Sequence, residues 1–128
     1  MDIWTVGAWV GKVGFVAFFV MSGVNHLVNY KGLTAYAQSK HIPLPGVAVV
    51  VSGLMMLAGS AMILLFWHPV WGAGLLVLFL VPAAFLVHNF WAETDAMMKA
   101  NQMAHFWKNL TIAAGAVIYS VAVHIGFH

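Results

Sequence analysis

Four long apolar stretches dominate the sequence, and each is close to the length that crosses a lipid bilayer as a helix. They lie at about residues 4–27, 47–66, 72–87 and 110–125. A soluble domain covers its surface with charged side chains, whereas this chain has 5 basic and 3 acidic residues among 128. The pattern therefore predicts an all-α fold, a four-transmembrane-helix bundle that forms a single membrane domain over residues 1–128.

Two longer polar connections separate the first span from the second and the third span from the fourth. Residues 29–42 and 88–107 carry apolar positions at helical spacing opposite a polar face. Such segments typically lie in the headgroup region as amphipathic helices. Thr94 or Asp95 can cap the start of the later one. We therefore predict two short interfacial amphipathic helices beside the bundle.

Four crossings bring both long connections to the same side of the membrane, where the ends of the spans meet. Tryptophan and tyrosine residues concentrate at both predicted interfaces, which supports the four-span count. Polar side chains at membrane depth are costly unless they pair or line a cavity, so we predict a small-molecule or headgroup site at this mouth of the bundle. The candidate ligand-binding residues are His26, His88, Trp91, His105, Lys108 and Asn109.

Several candidates also have a purely structural interpretation. His26 and His88 could hydrogen-bond backbone carbonyls at helix ends, and the tryptophan could belong to the interfacial belt. Lys108 opposes the helix dipole at the predicted start of the fourth span. We therefore expect it to meet an acidic partner, either Glu93 or Asp95, a ligand or a lipid phosphate.

The first span contains a lysine at position 12, to which we assign no role because its stem can run along the helix towards the nearer interface. The same span lacks a positive cluster before it and a small-residue cleavage motif after it. We therefore expect it to be retained and not removed as a signal peptide.

Seven histidines raise the alternative of a metal or haem site. His26, His88 and His105 share the connection side, while His124 and His128 have the i, i+4 spacing that lets two imidazoles face one ion. No acid accompanies either group inside the spans and the chain has no cysteine, so a metal or haem site is the less favoured interpretation of these histidines. The net charge of +2 comes from few groups and indicates no nucleic-acid surface.

Two sequence patterns carry more specific information than composition. In the first half, Ser22-Gly23 through Leu27 precede Pro43-Leu44-Pro45; in the second, His88-Asn89-Phe90-Trp91 precedes Gln102, Phe106, Lys108 and Asn109. Taken together and in this order, they resemble the DoxX family of small membrane proteins. The resemblance implies a location in the bacterial cytoplasmic (inner) membrane, which is the plasma membrane of the cell. Many members carry a glutamate where Ser52 stands, and this departure counts against proton-coupled chemistry in the second span.

The resemblance also bears on function, because the family is named for its likeness to the small subunit of a thiosulfate:quinone oxidoreductase. It implies a subunit of a membrane-associated redox complex that binds a quinone at the bundle mouth, with a redox partner protein supplying the redox centre. The alternatives are a non-enzymatic lipid-binding or assembly scaffold, and an intramembrane enzyme with His-ligated haem or metal. Contact with membrane lipid is expected in each case, and both catalytic activity and homo-oligomer formation stay open.

The lysines favour one orientation. Four of them, Lys31, Lys40, Lys99 and Lys108, fall on the side of the long connections. Positive-inside counting then places these connections in the cytoplasm and both termini outside. The resemblance implies the opposite arrangement, because many DoxX members carry a basic turn between the second and third spans, whereas the turn from Trp67 to Trp71 has no Lys or Arg. The orientation stays open between these two arguments, and the lysine count slightly favours cytoplasmic long connections.

Overall fold

The computed structural model describes residues 1–126, and these form helices and connections without a β-strand. The elements, in chain order, are α1 (Ile3–Val28), α2 (Tyr30–Ser39), α3 (Pro45–Leu64), α4 (Pro69–Leu86), a short 3-10 helix (Phe90–Ala92) and α5 (Ala96–His124). Four helical segments, which begin at Ile3, Pro45, Pro69 and Ala96, are long and apolar enough to cross a membrane. The predicted all-α architecture with four spans is confirmed.

Helix starts follow local sequence signals. Pro45 and Pro69 occupy the first turn of α3 and α4, where a missing backbone N–H costs nothing. Asp2 caps α1 by accepting from the Thr5 amide at 2.7 Å, and this bond lowers the pKa of Asp2. The stabilisation from this cap is therefore present above the usual pKa of aspartate and is lost as the pH falls through the lowered value.

The second polar connection differs from its predicted form. The amphipathic stretch at its end is continuous with the fourth span, so α5 is one unbroken helix of 29 residues. The composition of the helix changes from polar to apolar near residue 108, in keeping with a change in its surroundings. No proline interrupts the backbone of this helix, so it continues through the change. The separate short helix on this connection is instead the 3-10 turn, which packs against α5.

Asp95, predicted as one of two possible caps, begins α5 by accepting from the Met98 amide at 2.9 Å. Asp95→Ala is expected to lower the free energy of local opening of this first turn by about 1 kcal/mol, because one orphan amide loses its acceptor. Hydrogen exchange at Met98 should accelerate about five-fold in the variant. Exchange at Thr5, under the equivalent cap of α1, is the internal control, and equal acceleration at both amides would argue against a local effect.

Glycines set how closely the long helices approach one another. A Cβ on Gly23 of α1 would lie 3.0 Å from the Gly53 carbonyl oxygen of α3, and a Cβ on Gly59 of α3 would lie 2.7 Å from the Gly72 oxygen of α4. Backbones that approach this closely gain packing between helices in lipid, where no hydrophobic force drives association. The two crossings place α1 and α4 against different faces of α3.

The bundle is closed on three sides and open on the fourth. α1 packs against α3, α3 against α4, and α4 against α5, whereas no Cα atom of α1 lies within 8 Å of one in α5. We call this gap the α1–α5 seam. At its middle, Val16 and Phe19 of α1 join Ala113 and Ala116 of α5 in one buried core cluster, with Phe19 only 1% exposed. Cavities lie above and below this apolar layer.

Candidate ligand site

A cavity of about 340 Å³ lies at the end of the bundle that carries the long connections. We call it the connector cavity. α1, α3, α4 and α5 form its walls, and Leu33, Tyr36 and Ala37 of α2 lie across it. Most of the lining is apolar, with a small number of polar side chains, which is the usual composition of a small-molecule site. The polar members include Ser22, His26, Ser52, His88, Lys108 and Asn109.

His26 is positioned by the close crossing of α1 and α3. A Cβ on Gly53 would lie 2.8 Å from the His26 Cβ, so glycine at this position lets α1 approach closely enough to place His26 against α3. The His26 Nδ1 lies 2.9 Å from the Ser52 hydroxyl oxygen and 3.2 Å from the Val49 carbonyl oxygen. A carbonyl only accepts, and the Ser52 hydroxyl itself donates to Val49 at 3.0 Å. Nδ1 therefore carries the proton, and Nε2 of the neutral ring is a hydrogen-bond acceptor.

His88 has the same arrangement at the end of α4. Its Nδ1 lies 2.8 Å from Oε1 of Gln102 on α5, and the amide nitrogen of Gln102 donates to the Tyr36 hydroxyl at 3.5 Å. Because the amide oxygen only accepts, Nδ1 of His88 is the donor and Nε2 of the neutral ring accepts. The chain from His88 through Gln102 to Tyr36 thus joins α4, α5 and α2 at the cavity.

Lys108 supplies the positive charge of the connector cavity. Its ammonium donates to Nδ1 of His105 at 3.3 Å and lies 5.3 Å from the centre of the Phe18 ring on α1. The His105 ring stacks on that of His88 with centroids 5.1 Å apart. The acidic partner expected for Lys108 was Glu93 or Asp95, but Glu93 pairs with Lys40 and Asp95 caps α5. Among the described residues, Lys108 therefore has no carboxylate partner.

Asn109 is the most deeply buried polar residue of the cavity wall, at 5% exposed. Its side-chain amide makes no hydrogen bond with any residue in the described part of the chain. The amide atoms are not among the fully buried polar atoms that lack a partner in residues 1–126, so they keep surface that is open to the cavity. The amide is available to a molecule in the cavity.

α2 lies over the cavity. Only side chains join it to α5 and to the connection between α4 and α5. The ammonium of Lys40 donates to the Asn89 amide oxygen at 3.1 Å and pairs with the Glu93 carboxylate at 3.5 Å. Together with the contact between Tyr36 and Gln102, these bonds link the two long connections. The backbone of α2 packs only on α1 and α3 within the described residues.

Four of the six sequence-predicted site residues, His26, His88, Lys108 and Asn109, line the connector cavity. The other two lie beside it. His105 stacks behind His88, and Trp91 packs against Phe85 and Phe106 with about half of its surface exposed. Ligand binding by all six stays a prediction.

Sequence reasoning did not select Ser52, Tyr36, Gln102 or Lys40, which orient the cavity residues. Their separations from their partners in sequence are 26 residues for Ser52 and His26 and 49 for Lys40 and Asn89. One signal was present: the resemblance to the DoxX family implied a glutamate at the position of Ser52, whose hydroxyl oxygen lies 2.9 Å from Nδ1 of His26.

No group of three His, Asp or Glu side chains within residues 1–126 comes together in a way that could hold a metal ion. His26 contacts Ser52 of α3, whereas His88 and His105 stack on each other. The other proposed pair, His124 and His128, includes a residue that lies outside the described part of the chain.

Comparisons with known proteins agree with the helical architecture. The DoxX family model matches residues 7–89, which contain most of α1, all of α2 to α4, and His88 and Asn89. "Inner membrane protein YphA" of Escherichia coli (strain K12) is 25% identical over 114 residues, which are 88% of this chain and 79% of that protein. No solved structure gives a significant match. Since the family model covers well over half of a chain that has four membrane-spanning helices, the chain is an integral membrane protein that belongs to the DoxX family.

Proposed function

We propose that the chain is a bacterial inner-membrane subunit that binds the head group of a quinone in the connector cavity, within a redox complex whose partner protein carries the redox centre. The name of its Escherichia coli relative supports the location. The polar chemistry of the cavity supports the ligand.

The cavity can both donate and accept hydrogen bonds. Lys108 and the amide nitrogen of Asn109 are donors, whereas the Nε2 atoms of His26 and His88 are acceptors in the neutral rings. A quinone presents two carbonyl oxygens that accept, and its reduced quinol form presents two hydroxyls that donate. A lining of this kind has partners for both forms, whereas a site that only donates would favour the oxidised one.

The unpaired amide of Asn109 is the observation that carries the proposal. Water or a ligand has to satisfy it, and the surrounding walls from Leu78, Phe79 and Leu86 favour a flat apolar ring over a fully hydrated ion. The cavity volume lies within the range of small-molecule sites.

Electron transfer requires a second protein under this proposal. The chain has no cysteine, so it cannot ligate an iron-sulfur cluster through thiolates. The two electrons and two protons exchanged between quinone and quinol would pass to or from the partner's redox centre and the surrounding water. The role of this chain is to hold and orient the head group.

His88→Ala is expected to weaken binding of a short-chain quinol about ten-fold, because the site loses the Nε2 acceptor and the amide oxygen of Gln102 loses its donor. The measurement is a titration of the purified, detergent-solubilised protein with short-chain ubiquinone and menaquinone analogues in both oxidation states. The matched control is His124→Ala, an exposed histidine at the other end of α5. Absence of saturable binding to the unsubstituted protein would refute the quinone proposal.

A lipid-binding scaffold is the second candidate, favoured by the exposed Lys108 and its lack of a described carboxylate partner. Its phosphate ligand would occupy the same mouth. Two results together would support the scaffold. Phospholipid would displace a bound quinone analogue, and phospholipid binding would be lost in Lys108→Gln but retained in His88→Ala. The opposite ranking of the two variants would support the quinone site.

A further inference from the structure

A second cavity, of about 430 Å³, lies at the opposite end of the α1–α5 seam. We call it the terminal cavity. Gly11, Lys12 and Phe15 of α1 form one wall, and Gly115, Tyr119 and Val123 of α5 form the other. The buried layer that contains Phe19 separates it from the connector cavity. The proposed quinone site uses none of its residues.

Lys12 is the charged residue of this cavity. Its Cα atom lies about 13 Å along the axis of α1 from Ile3, at a rise of 1.5 Å per residue. Its ammonium, however, lies 4.0 Å from the centre of the Trp9 ring and 5.8 Å from that of Phe66, which directly follows the end of α3. The side chain thus runs towards the end of the bundle at which α1 begins and α3 ends, where the nearer interface is expected, and brings the charge to the mouth of the cavity.

No carboxylate among the described residues pairs with Lys12. Asp2 is ten residues earlier on the same helix, or about 15 Å along its axis, and it caps the helix start. Glu93 and Asp95 belong to the opposite end of the bundle. A cation at the membrane interface with apolar walls below it is complementary to an amphiphile with a negative head.

The groove below the ammonium is open towards the bilayer. Gly11 and Gly115 are exposed, and a Cβ built on either would have no atom within 4 Å. Apolar side chains such as Phe15, Ile63 and Val123 line the rest. An acyl chain fits this surface, whereas a free hydrated anion gains nothing from it.

We propose that the terminal cavity binds an anionic phospholipid, with the lipid phosphate paired to Lys12 and one acyl chain lying in the groove between Gly11 and Gly115. Binding this lipid bridges α1 and α5 at the one side of the bundle where their backbones do not pack.

The test is native mass spectrometry of the full chain, titrated with phosphatidylglycerol and separately with phosphatidylcholine. Phosphatidylglycerol is expected to bind more tightly, and Lys12→Gln is expected to weaken its binding about five-fold. Lys99→Gln, an exposed lysine at the far end of α5, is the charge-matched control and should leave binding unchanged. Quinone titration of Lys12→Gln separates the two sites, because a loss of lipid binding at the terminal cavity should leave quinone binding at the connector cavity unchanged.

A glycine pair tests the tail of the lipid independently of charge and of any folding defect in Lys12→Gln. Gly11→Leu fills the groove, whereas Gly14→Leu adds the same side chain to the same helix outside the cavity lining; neither Cβ meets an atom within 4 Å. We expect only Gly11→Leu to reduce phosphatidylglycerol binding, by five-fold or more.

Three results would overturn the proposal. Equal binding of the two lipids, unaffected by Lys12→Gln, would show no anionic site. Displacement of the lipid by millimolar inorganic phosphate would identify a free-anion site. A change in the dimer fraction with Gly11→Leu, without a change in lipid binding, would assign the groove to a second copy of the chain.

Discussion

Gly72→Val is expected to destabilise the bundle more than any other single substitution considered for this protein. A Cβ at this position would lie 2.7 Å from the Cβ of Met62 and 2.9 Å from the backbone oxygen of Gly59. Neither atom is the movable end of a side chain, so α3 and α4 would have to separate. Forcing extra volume into a packed contact costs about 1–3 kcal/mol, and a backbone contact puts this substitution at the upper end.

The measurement is the unfolding temperature of the purified variant in mild detergent, with its elution profile as a check on aggregation. Gly74→Val is the matched control, because it lies in the same helix with no atom within 4 Å of a built Cβ. Replacing glycine with valine changes the intrinsic helix propensity by the same amount at both positions. A similar fall in both would show that propensity, and not the crossing of α3 and α4, governs the effect.

Asn109→Leu is expected to reduce quinone binding about thirty-fold while leaving the stability of the bundle equal or higher. The asparagine is a buried residue whose amide makes no bond with a described residue, so leucine breaks no bond within the described protein and adds apolar contact. Loss of the donor, together with the bulk of the new side chain in the cavity wall, removes the ligand. A purely structural asparagine would show the reverse pattern, with stability falling.

Ser60→Ala provides the control for the stability half of this prediction. Ser60 is fully buried in α3, and its hydroxyl has no partner in residues 1–126, but it does not line the connector cavity. Its replacement is expected to leave quinone binding unchanged. If Asn109→Leu unfolded the protein while Ser60→Ala did not, the amide would have a structural bond and the ligand argument would fail.

The helical architecture follows from local signals that the sequence displays directly. The apolar stretches predict the spans, Pro45 marks the start of α3, and Asp95 is one of two residues suitable for capping α5. Small residues allow close approach of helices in lipid, and Gly53 and Gly59 of the second span both lie at crossings. Each of these inferences depends on a residue and its near neighbours.

Features that depend on the surroundings of a helix were harder to predict. The polar first half of α5 indicated a separate interfacial helix, because composition reports environment and not the continuity of the backbone. The site shows the same limit. The side of the bundle was predictable from topology, but the partners of His26, His88 and Lys40 are brought together by tertiary packing alone.

The α1–α5 seam has a consequence for how any affinity should be expressed. Phe18 and Ser22 of α1 face Lys108 of α5 around the connector cavity, and the backbones of these helices do not pack. A ligand with a long isoprenoid tail can therefore enter sideways and leave its tail among the lipids. The effective concentration of such a ligand is then its mole fraction in the bilayer, so adding empty vesicles should dilute the ligand and lower the occupancy of the cavity. A tail-free analogue should follow its aqueous concentration instead.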